Sequence, residues 1–247
     1  MPLLGGRIPP ELRSRPTVAV LGMHRSGTSV VAGMLQDHGV ELGEVRERSP
    51  YNPRGNRELP ELNRLHDGVL ERSGGTWWEP PSEVILRGGD FRRRNRILRS
   101  IPGPTIGVKD PRMLVALELW RDLNLKPVGV IRNPVAVSDS LQRRGRGRED
   151  RYPQLSLVRW EALWRHYNRS LLDELERRPF PLIQFDRAEQ LGEQVRDALS
   201  FHGLPSGASG FFDPDLVGAP LDDWRARVAS SETLALWDSL AELALVA

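Results

Sequence analysis

The sequence predicts a single α/β domain, a mostly parallel β-sheet flanked by helices. Three observations point to it. Short apolar runs rich in β-branched residues alternate along the chain with amphipathic segments of helical length. The connections between them are mostly short, as strand–helix–strand units require. No internal repeat and no interdomain linker divides the 247 residues, a length that suits one large domain. Residues 1–16 are expected to form an N-terminal extension and 17–247 the domain.

The first strand is expected over 18–22 (VAVLG), bounded by Pro16 and Gly22. A helix follows over 27–38, where Val30, Val31, Met34 and Leu35 keep helical spacing and Gly39 supplies a stop. From 43 to 60 the chain is polar and broken by Pro50, Pro53 and Gly55, which reads as an excursion over the surface. A helix over 61–72 leads into a loop holding Trp77, Trp78, Pro80 and Pro81. The arginine-rich stretches 91–101 and 143–151 read as a solvated face and a mobile loop. Further on come a strand at 105–108, a helix at 113–123, a strand at 127–131 and a helix at 134–143 opened by Pro134. A long amphipathic helix over 155–177, a strand at 182–185 and helices over 188–201 and 232–246 complete the alternation. Trp160 and Trp164 stand at i,i+4 spacing and read as packing residues.

Composition excludes several classes. Apolar residues make up 39% and charged residues 28%, the balance of a globular chain rather than a disordered one. No apolar run reaches the ~18 to 20 residues of a membrane-spanning helix. The first residues carry arginines and prolines without an apolar core, unlike a secretory signal. With no cysteine there is no disulfide, thiolate metal site or cysteine nucleophile, and a reducing, cytoplasmic setting is expected. The 35 basic side chains exceed the 33 acidic ones only slightly, and all but Lys109 and Lys126 are arginine. Nucleic-acid binding is therefore not expected, and anion recognition must come from local clusters. His38, His66, His166 and His202 show no metal-ligand spacing, so no metal is expected.

Chemistry enters at Gly22-Met23-His24-Arg25-Ser26-Gly27-Thr28-Ser29, between the first strand and the first helix. A nucleotide-triphosphate loop reads G-x-x-x-x-G-K-[ST]; here both glycines and the last hydroxyl are in register, but Thr28 occupies the lysine position. Such a turn still offers backbone N–H groups and a helix N-terminus to an anion. Without the lysine that spans the β- and γ-phosphates, a nucleotide lacking a γ-phosphate is favoured over ATP or GTP. Arg25 adds a forked donor. A second signal is Arg132 at the carboxyl end of a strand, with Ser140 about two helical turns further on, a pair that can bracket a second phosphate.

Taken together, MHRSGTS and VIRNPVAVSDSL resemble the two cofactor motifs of the sulfotransferases that use 3′-phosphoadenosine 5′-phosphosulfate (PAPS). NPRGNRE, WWEPP, VKDPR, LWRHYNRSLL and PLIQFDRAEQL are similar to pieces of the bacterial branch of that family, in the same order, from about residue 18 to 201. The resemblance implies a P-loop-NTPase-like sulfotransferase fold. It also implies metal-independent in-line transfer of a sulfonate from PAPS to an acceptor hydroxyl or amine, with PAP as product. By that resemblance Arg25, Ser26, Gly27, Thr28 and Ser29 hold the 5′-phosphosulfate, and Arg132 and Ser140 the 3′-phosphate. Lys109, in KDP, would stabilise the bridging oxygen as the bond breaks, with Arg25 helping to meet charge on the sulfonate.

For the base, relatives with a histidine two residues after the lysine have here Pro111, so the candidates are Glu58 in NPRGNRE and Glu44 in LGE, ranked equal, with Asp110 and His24 behind. Ala136 stands where relatives carry an acid, which touches helix capping. Arginines of 143–151 are an alternative support for the 3′-phosphate, and those of 91–101 an attractant for an acidic acceptor. Trp77 and Trp78 suit either an acceptor cleft or the core. The acceptor stays open among small molecules, sugars, lipids and peptides, as does the oligomeric state. A P-loop kinase or NTPase and a non-catalytic adenine-nucleotide-binding module remain as alternatives.

Overall fold

Strands Thr17–Leu21 (β1), Ile106–Lys109 (β2), Leu125–Ile131 (β3) and Leu182–Gln184 (β4) form one parallel sheet in the spatial order β2-β1-β3-β4. The structure, a computed structural model, describes residues 8–45, 54–146, 154–207, 209–213 and 222–246. Because successive strand side chains face opposite ways, β1 feeds two cores. Val18 and Val20 join Val128 and Val130 under Val31, Leu35, Val195 and Leu199. Ala19 and Leu21 face the larger core with Leu65, Leu98, Trp164 and Leu240. Burial on both faces explains why the strands read as continuous apolar runs.

In chain order the helices are Pro10–Ser14 (α1), Thr28–Asp37 (α2), Pro60–Arg72 (α3), Gly88–Ser100 (α4), Pro134–Gly145 (α5), Leu157–Arg177 (α6), Leu191–Phe201 (α7) and Ser231–Val246 (α8). α2 and α7 cover one face of the sheet, and α3, α4, α6 and α8 contribute to the core on the other. Asn133 caps α5 by accepting from the Ala136 N–H at 2.8 Å, so the cap comes from the residue before Pro134. Leu12 of α1 is buried in the larger core, which ties residues 10–14 to the domain.

Two stretches differ from expectation. The arginine-rich segment 91–101 lies in helix α4, whose inner face buries Phe91, Ile97 and Leu98 together with Arg94. Arg94 is wholly buried because its guanidinium is satisfied by Asp122, the Asn95 side chain and the Leu119 carbonyl. Its exposed neighbours Arg92, Arg93, Arg96 and Arg99 keep the solvated face. Residues 113–123 form no helix but two short 3₁₀ turns, Pro111–Leu114 and Leu117–Leu119. Ala116 breaks the run at φ −115°, ψ 38°, and the Leu119 carbonyl is bonded from outside by Arg94. Of the polar excursion 43–60, residues 46–53 lie outside the described residues, as do 147–153, which include part of the second arginine stretch.

Candidate active site

Three strand ends meet at the carboxyl edge of the sheet. β1 runs into the glycine turn, β2 ends on Lys109, and β3 delivers Arg132. The chain goes from β1 to β2 on one side and reaches β3 on the other, so the order reverses about β1, the place where open α/β sheets form a crevice.

Local sterics dictate the turn. A Cβ on Gly22 would stand 2.5 Å from the Val130 carbonyl oxygen and 2.7 Å from Thr28 Cγ2. Gly27 sits at φ +91°, and a Cβ there would lie 2.2 Å from the Phe185 ring. Arg25 itself adopts φ 68°. α2 begins at Thr28 with no acidic residue in its first turn and no side-chain cap, leaving the positive end of its dipole without a carboxylate of its own.

The two motifs separated in sequence are hydrogen-bonded in space. Arg25 Nε donates to Ser140 Oγ at 2.9 Å, and the Arg132 guanidinium donates to the Arg25 carbonyl at 3.3 Å. Arg132 is only 18% exposed, lies 5.3 Å over the Phe185 ring, and has Asp186 as an ion-pair partner at 3.9 Å. Burial lowers its pKa, with Asp186 opposing and Arg143 adding to the effect. The Asp186 oxygens are already engaged by the Asn133 backbone and side-chain N–H groups, both at 2.8 Å, and burial raises its pKa against those bonds and Arg132. Arg132 is therefore a desolvated cation with incomplete compensation, and a bound anion would complete it.

At the end of β2, Lys109 Nζ donates to Glu58 Oε1 at 2.5 Å, with side chains 4% and 14% exposed. Both line a cavity of about 250 Å³ whose walls hold six Arg and Lys side chains against two carboxylates. Arg25, Gly27, Thr28, Ser29, Arg132 and Ser140 line the same cavity. Ser26 is fully buried and is not part of the lining. Glu44 is exposed and is also absent from it. Asp110 is buried outside the lining, engaged by Arg112, His66 and Asn63. His24 lines the cavity, with its ring 4.4 Å from that of Trp77. Burial first, then Arg112, Lys109 and Arg144 against the opposing Asp110, holds its pKa well below the ordinary value, so it is neutral. Trp77 and Trp78 are partly buried against the larger core, and the buried Trp160 and Trp164 belong to it.

Several lining residues escaped the sequence reading. Phe185 packs on Gly27, and Phe211 sits on α2, where a Cβ on Gly33 would lie 2.2 Å from its ring. Asp37 anchors that segment by accepting from the Gly210 and Phe211 N–H groups at 2.9 Å each, and the Arg57 guanidinium stacks 4.7 Å from the Phe211 ring. The aromatic pair Phe211-Phe212 in an otherwise polar stretch was the available signal. Arg143 and Arg144, which the sequence offers as an alternative support for the 3′-phosphate, also reach the lining.

The sulfotransferase domain of the Synechococcus PCC 7002 olefin synthase matches 95% of this chain and 98% of its own length, with a TM-score of 0.59 and 15% identity. The fold is that of a sulfotransferase domain. A sulfotransferase domain from the curacin biosynthetic pathway matches 93% of the chain and 98% of its own, with a TM-score of 0.56 and 15% identity. No protein-family profile and no curated protein matches the chain. The α/β class, the parallel sheet and the sulfotransferase fold expected from the sequence are thus present. On this sulfotransferase fold, among the described residues, no helix is long and apolar enough to cross a membrane. Nor is any group of three or more His, Asp or Glu placed there to hold a metal ion.

Proposed function

We propose that the protein transfers a sulfonate from PAPS to an acceptor hydroxyl or amine. The observation that supports this most directly is the union, in one cation-rich cleft, of a phosphate-type turn lacking its lysine with a second anion position at Arg132 and a buried Lys109–Glu58 pair. The turn and Arg25 would hold the 5′-phosphosulfate, and Arg132 with Ser140 the 3′-phosphate. Phe185 and Phe211 offer apolar walls to the nucleoside. When bound, the donor supplies a sulfonate whose departure leaves a stable phosphate.

The chain's own residues then handle charge and the proton. Glu58 takes the acceptor proton at a carboxylate oxygen, and Lys109 supplies an ammonium charge beside it at the end of β2. Of the two glutamates ranked equal in sequence, Glu58 is favoured because it alone lines the cleft with Lys109. The acceptor class is one of small hydroxylated or amino compounds.

Calorimetry with PAP and with Mg-ATP, followed by incubation with sulfur-35-labelled PAPS and a panel of phenols, sugars and hydroxylated lipids, tests the reading. PAP should bind, and label should appear on an acceptor in the presence of EDTA. Mg-ATP binding without PAP binding would return the kinase reading; PAP binding with no labelled acceptor would leave a nucleotide-binding module.

A further inference from the structure

Beneath the Lys109–Glu58 pair runs a chain of polar side chains that the transfer itself does not use. Glu58 Oε2 accepts from Asn63 Nδ2 at 3.1 Å, and the same nitrogen donates to Asp110 Oδ2 at 2.8 Å. Both partners of that nitrogen are carboxylate oxygens, which fixes the orientation of the amide. Asp110 Oδ2 also accepts from His66 Nδ1 at 2.8 Å, and His66 Nε2 accepts from the Trp120 indole N–H at 3.1 Å. Indole can only donate, so the ring proton of His66 sits on Nδ1. Asp110 Oδ1 takes the Arg112 backbone N–H at 3.0 Å and its guanidinium at 2.9 Å. His66, Asp110 and Trp120 have no exposed surface. Burial pushes the Asp110 carboxyl up, but Arg112, His66 and the Arg112 N–H outweigh it and hold the group well below the usual range. With two donors on each oxygen and no exposed surface, Asp110 is a fixed acceptor rather than a base, whereas Glu58 carries one donor on each oxygen and opens onto the cleft.

Glu58 needs such support. It lies on irregular chain just before α3, whereas its partner Lys109 is held in a strand. A carboxylate on a loop must be held by its neighbours to act reproducibly. Stability alone gives weak reason for the network, since apolar replacement of buried polar clusters is often neutral or stabilising.

We propose that Trp120, His66, Asp110 and Asn63 are positioning residues that orient the Glu58 carboxylate toward the reacting centre. Each link has one donor direction. Asp110 and Trp120 together fix the His66 tautomer, His66 and Asn63 fill Asp110 Oδ2, and Asn63 ties Glu58 Oε2 while Oε1 faces Lys109. This rests on the reading of Glu58 as the proton acceptor.

The test combines kinetics of PAP release from PAPS, using the best acceptor of the panel above, with PAP calorimetry and nitrogen-15 NMR of the histidine rings. Asn63 is partly exposed, so its variants should fold. Asn63→Ala should lower kcat about 10- to 100-fold, the usual cost of a misplaced reacting group, with KM and PAP affinity within about twofold. Asn63→Asp, which sets a third carboxylate between two, should lose at least as much. His66→Asn keeps a donor near the Nδ1 position and should retain more turnover than His66→Phe. The His66 proton should be found on Nδ1 in the wild type and should stay there in Trp120→Phe, because the ionised Asp110 Oδ2 still accepts it. Wild-type kcat in Asn63→Ala while Glu58→Gln is inactive overturns the positioning role alone, as does a His66 proton on Nε2. Full turnover in Glu58→Gln overturns the assignment of Glu58 and the positioning role with it. If no acceptor turns over, the reading of Glu58 as proton acceptor falls and the positioning role falls with it.

Discussion

Replacing Arg132 with alanine should separate PAP from AMP, which lacks the 3′-phosphate. The guanidinium is 18% exposed, its Nε is buried with no hydrogen-bond partner among the described residues, and its ion pair with Asp186 spans 3.9 Å. Charge-assisted hydrogen bonds contribute roughly 1.5–3 kcal/mol each, and incomplete compensation by Asp186 favours the upper part of that range. A loss of about 3 kcal/mol in PAP affinity, on the order of 150-fold in Kd, is expected. AMP should weaken by less than about threefold, an allowance for the Arg25 carbonyl losing its 3.3 Å donor. Arg132→Lys should recover only part of the loss, because an ammonium restores charge without the planar fork. Titration calorimetry of both nucleotides against wild type and the two variants, with thermal unfolding as the control for folding, measures this. Equal losses for PAP and AMP, or no loss for PAP, would refute the assignment of Arg132 to the 3′-phosphate.

Other outcomes are expected. Lys109→Ala should lower turnover by about 10²- to 10³-fold while PAP affinity changes little, read by stopped assays beside calorimetry. Arg94→Ala should cost about 3 kcal/mol in urea unfolding, because it strands Asp122 and the Leu119 carbonyl that the buried guanidinium now satisfies. Burial holds His24 neutral in the folded chain, whereas the unfolded chain takes up a proton near the ordinary value of 6.5. Its share of stability is therefore complete above about pH 6.5 and falls as pH drops below it, and His24→Phe should flatten that slope in urea titrations between about pH 8 and 5. Asp110, depressed below its ordinary 3.8, gives stability that is present above that pH and lost beneath it, so Asp110→Asn should flatten the acid limb.

What could be read from the sequence follows a physical divide. The turn between β1 and α2, and the β3–α5 passage with Arg132 and Ser140, were legible because glycine placement and strand ends are set by local sterics and local order. Helix α4 was missed because its inward stripe of Phe91, Ile97 and Leu98 includes Arg94, a charge whose burial depends on Asp122 and Leu119, elements distant in the chain. Residues 113–123 were read as a helix because their apolar positions suit one and Val115, Glu118, Arg121 and Asp122 fall on its outer face, yet Ala116 leaves the helical region and the distant Arg94 takes the Leu119 carbonyl. The role of His66 was out of reach for the same reason: its partners Asp110 and Trp120 lie 44 and 54 positions away, and no spacing rule joins them. Sequence alone sets Glu58 and Glu44 level; the fold puts one beside Lys109 and leaves the other at the surface, a separation no local spacing encodes.

Arg25 carries a consequence for engineering. Its left-handed backbone bends the loop, its carbonyl accepts from Arg132, and its side chain donates to Ser140. Three duties that other scaffolds could distribute over a glycine, a capping group and a cation thus fall on one position. Glycine there would keep the bend and sever the latch; lysine would keep the charge and lose the planar grip. Redesign of the cleft is better begun at the far wall, where Phe185 and Phe211 offer shape without holding its two halves in register.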